Sequence, residues 1–413
     1  MAMNNQNNNQ ISEYGLVGLE DEKVYLENYK FKSICVEKSV YEELEEFAKS
    51  DSGKDVLGFS GNGKFLQAKN YVGVIQTISG FTLEVLPKIY QSDESEDNSK
   101  EIFLKLLEIL YKLPNYKHTD SAKFGTLDKP LLEIFIAMFL DEVGKIIKRG
   151  LKSDYLNKED NEFFLKGKLL FNEHIKRNYI HKEKFYVAYD EYTQNRVENR
   201  LLKSTLKYLL NISSSFENIR LIRIYQEYMS SINLSINYDN DFRMCNTKTR
   251  GMKYYRDALI WAEIFLKKET FSSFSGDTIA FALLYPMEKL FENYVEYYLI
   301  NRYKKLMIIP QYQREFVKDL FNIKPDFLIQ RDDNLLVVAD AKWKIIEKNN
   351  EFSQSDFYQL FAYAKIFKPK KPLRLYYPMS EYFTKCKRYR YNDNETKIIV
   401  IPLDMDNVRE LKK

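Results

Sequence analysis

One stretch, residues 321–344, constrains the fold of this chain more than any other part: FNIKPDFLIQRDDNLLVVADAKWK. It contains two apolar runs, 323–330 and 334–344, separated by the polar residues 331–334. Short apolar runs on either side of a polar, turn-forming segment predict two β-strands joined by a tight turn. The stretch is therefore expected to supply two neighbouring strands of a sheet.

Three charged residues lie near the ends of these predicted strands. Residues two apart in a strand point to the same face, so Asp340 and Lys342 are predicted neighbours, and Asp326 on the adjacent strand can reach the same place. Two carboxylates and an ammonium suit phosphodiester hydrolysis, because Mg²⁺ takes carboxylate ligands and a lysine can stabilise negative charge on a phosphate. For so short a motif, the alternative is an ordinary solvated ion pair at a strand end.

Helices are predicted on both sides of the strands. The first, 286–303, begins with a proline and carries glutamates at four-residue intervals, including Glu292. The second, 353–367, places Gln359 and Tyr363 one turn apart on one face. The succession of E, PD, D-x-K and Q-x-x-x-Y on helix, strands and helix resembles the PD-(D/E)xK nuclease superfamily and its RecB-like branch. Together and in this order, motifs that are individually weak favour a nuclease over a solvated ion pair.

The first part of the chain, residues 1–92, is expected to form a β-rich domain whose first, Asn- and Gln-rich residues are disordered. Its runs YVGVIQTI and FTLEVLPKIY, on either side of Ser79-Gly80, predict a hairpin. The segment GFSGNGK resembles a phosphate-binding loop, but Phe65 stands where a Mg²⁺-binding Ser or Thr would follow, and a strand pattern comes next. No nucleotide site is therefore expected in this part.

A polar, acidic linker is predicted at 91–100, and residues 101–270 are expected to form a middle domain of mixed helices and strands. Within it, the segment 166–184 is basic and has little apolar periodicity, so it is predicted to form a protruding element. The basic residues predicted to contact a protein partner or DNA are Lys176, Arg177 and Lys182. The alternative is a solvated basic face. Residues 271–413 are expected to form the nuclease domain.

Composition limits the sites that this chain can contain. Its 413 residues carry a net charge of only +4, so any DNA-binding surface must be local. The three cysteines and three histidines have no metal-ligand spacing, which excludes a disulfide framework and a zinc site and fits a reducing cytoplasm. The start has no signal-peptide pattern, and no apolar run is long enough to span a bilayer. A cytoplasmic protein without membrane contact is therefore expected.

Longer segments resemble the McrC family, the nuclease subunits of McrBC and LlaJI-type restriction systems. The segment LKGKLLFNEHIKRNYIHKEKFYVAYDEYTQNRVENRLLKSTLKYLL is similar to the family's middle region. YPMEKLFENYV, IKPDFLI, VVADAKWK and FYQLFAYAK are similar to its C-terminal nuclease. VGVIQTISGFTLEVLPKIY resembles the β-rich part of its longer members, so the resemblance covers most of the chain from about residue 71 onward.

The resemblance implies an α+β multidomain protein with a C-terminal PD-(D/E)xK, restriction-endonuclease-like α/β domain. Asp326, Asp340 and Lys342 fall on the family's catalytic positions, and the two aspartates would hold Mg²⁺. Gln359 matches the helix glutamine, and Glu292 is a further candidate. The implied partners are double-stranded DNA and a hexameric, McrB-like AAA+ GTPase that the chain stimulates, with a finger from the middle region entering the pore of the ring.

Two alternative functions stay open at this point. The chain could be a non-catalytic activator of the motor, which the intact set of Asp326, Asp340 and Lys342 argues against. It could be a stand-alone RecB-like repair nuclease, which the likeness of the middle segment argues against. The sequence assigns no role to the β-rich N-terminal part.

Overall fold

The structure, a computed structural model, describes residues 9–88, 96–111, 129–245, 251–267, 279–317, 320–332, 334–348, 351–393 and 395–405. The chain divides into two compact units. The first combines Met1–Leu131 with Thr270–Lys413, and the second is Leu132–Glu269. Both units contain helices and strands, which agrees with the mixed α and β architecture predicted from the sequence.

Strands and helices alternate irregularly along the chain. The strands are β1 (Gln10–Ser12), β2 (Leu16–Leu19), β3 (Ile34–Val36), β4 (Leu57–Ser60), β5 (Phe65–Ala68), β6 (Tyr71–Thr77), β7 (Thr82–Leu86), β8 (Asp154–Glu162), β9 (Lys168–Leu169), β10 (Phe185–Thr193), β11 (Ile279–Pro286), β12 (Met307–Pro310), β13 (Arg314–Val317), β14 (Phe321–Ile323), β15 (Phe327–Arg331), β16 (Asn334–Ala341), β17 (Leu373–Pro378), β18 (Lys387–Arg390) and β19 (Lys397–Leu403). The helices are α1 (Lys23–Glu27), α2 (Lys38–Lys49), α3 (Glu96–Leu110), α4 (Leu131–Arg149), α5 (Phe171–Arg177), α6 (Val197–Ile212), α7 (Phe216–Tyr228), α8 (Tyr238–Met244), α9 (Arg256–Leu266), α10 (Met287–Arg302) and α11 (Gln354–Phe367).

The N-terminal part of the first unit contains two four-stranded sheets, with the orders β1-β7-β6-β11 and β3-β2-β5-β4. The predicted hairpin is confirmed, because β6 and β7 pair antiparallel. β4 and β5 also pair antiparallel, so a strand and not a helix follows Lys64, as the rejection of a phosphate-binding loop requires. One apolar core, which includes Ile11, Leu66 and Val85, joins the two sheets.

The edge strand of one N-terminal sheet comes from the C-terminal half of the chain. β11 pairs antiparallel with β6 over Ile279–Pro286, directly before α10. The three domain limits proposed from the sequence remain a prediction, but this pairing ties the first and last parts of the chain together. The linker predicted at 91–100 is wrong in its second half, because α3 begins at Glu96 and buries Ile102 and Leu106 completely. Its first half, 91–95, lies outside the described residues.

The second unit consists of helices packed through aromatic side chains, together with one small sheet. Phe135 of α4 packs on Trp261 of α9 with ring centroids 5.9 Å apart. The sheet has the order β8-β10-β9, and β8 and β10 pair over their full lengths. In the segment predicted to protrude, β9 has only two residues and is followed by the short helix α5. No helix among the described residues is both long and apolar enough to cross a membrane.

A six-stranded mixed sheet, β12-β15-β16-β17-β19-β18, forms the C-terminal part of the first unit. β15 and β16 are antiparallel, whereas β16, β17 and β19 run parallel. Leu360 and Tyr363 of α11 pack on the face of the sheet that carries Val338. Phe291 of α10 packs on Trp343, two residues beyond the end of β16. Tyr298 of α10 packs on Tyr376 of β17, whereas the next residue, Tyr377, belongs to the core under α11 and therefore points to the other face. Helices therefore cover both faces of the sheet near the end of β16.

The pairing of β6 with β11 provides a test of the fold at Gly73. A Cβ on Gly73, where φ is 142°, would lie 1.9 Å from the backbone oxygen of Leu283, so Gly73→Ala must push the strands apart. We expect the free energy of unfolding to fall by more than about 2 kcal/mol. Gly80→Ala is the matched control, because Gly80 also has a positive φ, 89°, but no described atom lies within 4 Å. Its cost should be only about 1 kcal/mol, and equal losses in denaturant unfolding would contradict the prediction.

Candidate active site

The two predicted aspartates lie at the ends of adjacent strands. Phe327 of β15 pairs with Ala339 of β16, so Asp326, just before β15, lies beside Asp340. The first predicted strand is not continuous: it is interrupted at Pro325, because proline has no N–H for the ladder and a fixed φ. The chain leaves β14, passes through the Pro-Asp step and enters the six-stranded sheet with the Asp326 carboxylate directed at the end of β16.

The Asp326 carboxylate is buried and held by two donors. Its Oδ2 accepts a hydrogen bond of 2.8 Å from the backbone N–H of Ala341, and its Oδ1 accepts one of 3.2 Å from Nε2 of Gln311. Burial raises the pKa of Asp326, the carboxylates of Asp340 and Glu292 raise it further, and the Ala341 N–H opposes the change. Negative charge is therefore concentrated at this point of the sheet and favours a cation.

Asp340 is completely buried, and Lys342 is the cation beside it. Nζ of Lys342, the first residue after β16, lies 2.6 Å from Oδ2 of Asp340, which confirms that the two side chains are neighbours. Oδ1 of Asp340 has no hydrogen-bond partner among the described residues. Burial alone would lower the pKa of Lys342, but Asp340 and, more weakly, Asp326 outweigh it and leave that pKa raised. The neighbouring carboxylates therefore favour the ammonium form of Lys342.

Gln311 connects Glu292 of α10 to Asp326, a contact that the sequence did not predict. Its Nε2 donates to Oε2 of Glu292 at 3.1 Å as well as to Asp326, and its backbone N–H donates to the Asp326 carbonyl at 2.8 Å. Gln311 has a φ of 52°, in the left-handed region that non-glycine residues rarely adopt. Such backbone strain concentrates at functional sites. In the sequence, the signal was only a polar residue directly after the strand that ends at Pro310.

The predicted Gln-Tyr pair on α11 lies at the edge of the same group. Tyr363 is buried, and its hydroxyl donates to the carbonyl of Lys324 at 3.1 Å, which restrains the Pro-Asp step. Burial raises the pKa of the Tyr363 hydroxyl, Asp340 and Asp326 raise it further, and a hydrogen bond with Gln359 opposes the change. Gln359 itself is exposed. Its hydrogen bond with Tyr363 places it beside this group, and its exposure lets it meet a ligand from solvent.

A second lysine lies two residues beyond Lys342. Nζ of Lys344 lies 2.8 and 2.9 Å from the two carboxylate oxygens of Asp356, a buried residue in the first turn of α11. Tyr377 donates a hydrogen bond of 2.6 Å to the same carboxylate. Because the Lys344 side chain is about half exposed, at 47%, its ammonium is fixed in direction but still open to a ligand.

The predicted basic residues of the middle region belong to the second unit. Lys176 and Arg177 are exposed and form ion pairs of 3.2 and 3.1 Å with Glu173 of the same helix, and Lys182 is exposed. The same element exposes large apolar side chains, here called the apolar tip. The apolar tip comprises Phe163, Phe164, Leu165, Phe171, Ile175, Tyr179 and Ile180, each at least 60% exposed. The sequence pattern predicts the basic residues but not this exposed apolar surface.

The arrangement around Asp326 and Asp340 has the chemistry of a hard-cation site. The atoms that could coordinate a metal ion are carboxylate oxygens, and one of these buried oxygens has no hydrogen-bond partner among the described residues. No group of three or more His, Cys, Asp or Glu side chains in the described part of the chain is placed to hold a metal ion by itself. Any ion here would need further ligands from water or substrate, as Mg²⁺ does and structural zinc does not.

Comparisons with known proteins point to one family. The family model for McrBC 5-methylcytosine restriction system components matches residues 66–378. A chain of the half-complex from the tetradecameric assembly of Thermococcus gammatolerans McrB AAA+ hexamers with bound McrC has the same fold, with a TM-score of 0.74, 18% identity and 98% of each chain covered. A chain of the T. gammatolerans McrBC complex matches 71% of this chain and 87% of its own length at 20% identity, with a TM-score of 0.49. No curated protein sequence matches.

The raised pKa of Asp326 predicts how stability depends on pH when divalent cations are removed. The folded protein binds this proton more tightly than the unfolded chain, whose aspartate has the ordinary pKa of 3.8. The stability that this group contributes is therefore present at low pH and is lost as the pH rises above that value, with a slope of at most about 1.4 kcal/mol per pH unit. Asp326→Asn removes the titration and should flatten the curve.

The measurement is the free energy of unfolding against pH in a chelator, for wild type and Asp326→Asn. The two proteins should converge at low pH, and the variant should be the more stable one at pH 8. Parallel curves would show that the proton on Asp326 does not contribute to folding.

Proposed function

The chain belongs to the family of McrBC 5-methylcytosine restriction system components, and on that premise we propose that it is the DNA-cleaving subunit of a restriction complex. Its activity is the Mg²⁺-dependent hydrolysis of phosphodiester bonds in double-stranded DNA, and its partner is a ring of AAA+ GTPase subunits that it stimulates. The six-stranded sheet with α10 and α11 is proposed to be a PD-(D/E)xK nuclease domain. The observation that supports this most is the connected group of Asp326, Asp340, Lys342 and Glu292.

Mg²⁺ would be held by Asp326 and Asp340, with Glu292 next to them. The unpartnered Oδ1 of Asp340 supports this assignment, because a buried carboxylate oxygen without a donor is costly unless a cation binds it. The raised pKa of Asp326 supports it too, since a cation would relieve the repulsion between the two carboxylates. When bound, the ion would supply an acidified water and would neutralise charge on the phosphate.

The other residues of the site have separate tasks. The ammonium of Lys342 stabilises the negative charge that develops on the phosphate, because it stays protonated and is fixed 2.6 Å from Asp340. Gln311 fixes the relative position of the Glu292 and Asp326 carboxylates, because it hydrogen-bonds to both. Gln359 and Lys344 are exposed beside the site and can contact the DNA backbone.

The AAA+ partner is proposed from the family and from the neighbour assembly, whose name includes McrB AAA+ hexamers. The contact is assigned to the apolar tip. Seven large apolar side chains exposed on one small element are unusual for a surface in water, and such surfaces mark protein interaction sites. Lys176 and Arg177 would have a smaller share in the contact than the sequence suggests, because both pair with Glu173, which offsets part of their charge.

The nuclease assignment is tested at Asp340. Asp340→Ala and Asp340→Asn should lower DNA cleavage by the reconstituted complex by at least about 100-fold, because both remove a ligand charge. Stimulation of the partner's GTPase should stay at the wild-type level. Asp332→Asn is the control, since Asp332 is exposed in the turn between β15 and β16 with a φ of 48°, a conformation that asparagine tolerates. Wild-type cutting by the Asp340 variants would favour a non-catalytic activator.

The partner contact is tested on the apolar tip. Phe171 and Ile175 lie one turn apart on α5 and are 68% and 64% exposed, so Phe171→Ser with Ile175→Ser should leave the fold intact. This double variant should lower the stimulated GTPase rate by about tenfold or more at a fixed subunit concentration, because apolar anchors dominate such interfaces. Alanine at Lys176, Arg177 and Lys182 should lower that rate less.

The basic triple variant also separates motor contact from DNA contact. If these residues bind phosphates instead, the triple variant keeps full GTPase stimulation and binds DNA more weakly, with a shallower dependence on salt. Full stimulation by both variants would exclude the apolar tip as the motor contact.

A further inference from the structure

A buried glutamate of the N-terminal part contacts the strand end that carries Lys342. Glu13 is completely buried, and both of its carboxylate oxygens accept from the indole Nε1–H of Trp343, at 3.1 and 3.0 Å. Oε2 also accepts from the backbone N–H of Lys88 at 3.1 Å. Trp343 is the residue directly after Lys342. More than 300 positions separate the two partners along the chain, so only the fold brings them together.

The backbone around Glu13 is fixed where the two N-terminal sheets meet. Its N–H donates to the carbonyl of Leu86 in one sheet at 2.9 Å, and the N–H of Tyr14 donates to Ala68 in the other at 3.1 Å. Tyr14 has a φ of 64°, a strained conformation that persists only because its surroundings dictate it. Glu13 is therefore held rigidly before it meets the indole.

Trp343 in turn touches two parts of the candidate active site. Its ring packs on Phe291 of α10, with centroids 5.5 Å apart, and Phe291 is followed by Glu292. Its backbone follows that of Lys342, which lies just beyond the last residue of β16 and is tied to the sheet by a hydrogen bond of 2.9 Å to the carbonyl of Tyr376. Anchoring the indole on one face of the sheet therefore limits the movement of Lys342 on the other.

A second contact joins the same parts of the chain. Nζ of Lys30 lies 2.6 Å from Oε2 of Glu347, four residues beyond Trp343. The side chains of this ion pair are about half exposed, at 52% and 54%, so it contributes little by itself. Its position shows that the N-terminal part follows the segment after β16 over several residues and does not meet it at a single point.

We infer that Glu13 is a positioning residue for DNA cleavage, which it promotes by fixing Trp343 and thereby the Lys342 ammonium against Asp340. This inference rests on the proposed nuclease function and gives the β-rich N-terminal part a role in it. A rigid supporting contact of this kind can strongly affect the rate of cleavage, because a displacement of about 1 Å at a catalytic group can lower a rate about 100-fold. The N-terminal sheets are then part of the nuclease and not a separate module.

The test uses the reconstituted complex with Glu13→Ala, Glu13→Gln and Trp343→Phe. Glu13→Ala and Trp343→Phe should each lower kcat for DNA cleavage by about tenfold, with KM for DNA and GTPase stimulation unchanged. The double variant Glu13→Ala with Trp343→Phe should lose no more kcat than either single variant, because each substitution removes the same hydrogen bond. Glu13→Gln keeps one acceptor oxygen and should lose only about threefold.

A spectroscopic reading on the protein alone reports the contact directly. The chain has two tryptophans, so a Trp261→Phe background leaves Trp343 as the only one. In that background, Glu13→Ala should shift the emission of Trp343, since its buried indole loses its acceptor. Unchanged emission would overturn the inference even if cleavage falls.

Glu84→Gln is the matched control for general damage to the N-terminal sheets. Glu84 is also buried and accepts from Gln10 at 3.1 Å and forms an ion pair of 3.0 Å with Lys100, but none of its described contacts involves the strand end at Lys342. It should leave kcat unchanged per folded molecule. Equal losses for Glu84→Gln and Glu13→Gln, or wild-type kcat in Glu13→Ala, would overturn the inference alone. A wild-type complex that does not cut DNA would overturn the proposed function and the inference together.

Discussion

Two buried carboxylates side by side, Asp326 and Asp340, are the constraint on which the C-terminal sheet depends. Repulsion and desolvation would expel such a pair unless donors surround it. The chain supplies the N–H of Ala341, the amide of Gln311 and the ammonium of Lys342. One oxygen of Asp340 is still without a donor among the described residues. These donors stabilise the folded site but leave part of its negative charge uncompensated, which favours a cation.

Two like-charged carboxylates stay side by side only if the surrounding backbone is rigid. The contacts that make it rigid extend beyond the six-stranded sheet. Gln311 adopts a left-handed conformation to reach two carboxylates, and Tyr363 restrains the Pro-Asp step from α11. On the opposite face, the indole of Trp343 is packed on Phe291 and hydrogen-bonded to Glu13. The pairing of β11 with β6 brings the N-terminal sheets into the same unit. The residues that surround this site therefore come from the N-terminal sheets as well as from the six-stranded sheet and its helices.

In the second unit, the feature of interest is an exposed apolar surface next to basic residues. Its small sheet and α5 leave large apolar side chains in water, while Glu173 forms ion pairs with the neighbouring Lys176 and Arg177. Charge can be read directly from a sequence, so the sequence predicts that Lys176, Arg177 and Lys182 contact a partner or DNA. Exposure is not visible in a sequence, because apolar residues such as Phe171 and Ile175 look the same whether they are buried or exposed. The proposed partner contact therefore lies on the apolar tip, and the share of the basic residues stays a prediction.

The sequence by itself determined the local elements and the neighbours that lie close along the chain. Strand periodicity placed Asp340 beside Lys342, the hairpin brought Asp326 to the pair, and helix spacing joined Gln359 to Tyr363. Only the tertiary structure decided the contacts of Gln311 with Glu292 and of Glu13 with Trp343, and which apolar side chains remain exposed. The physical reason is range: alternation and helical repeat act over a few residues. Hydrogen bonds between distant segments depend on how whole sheets and helices pack, which no local pattern encodes.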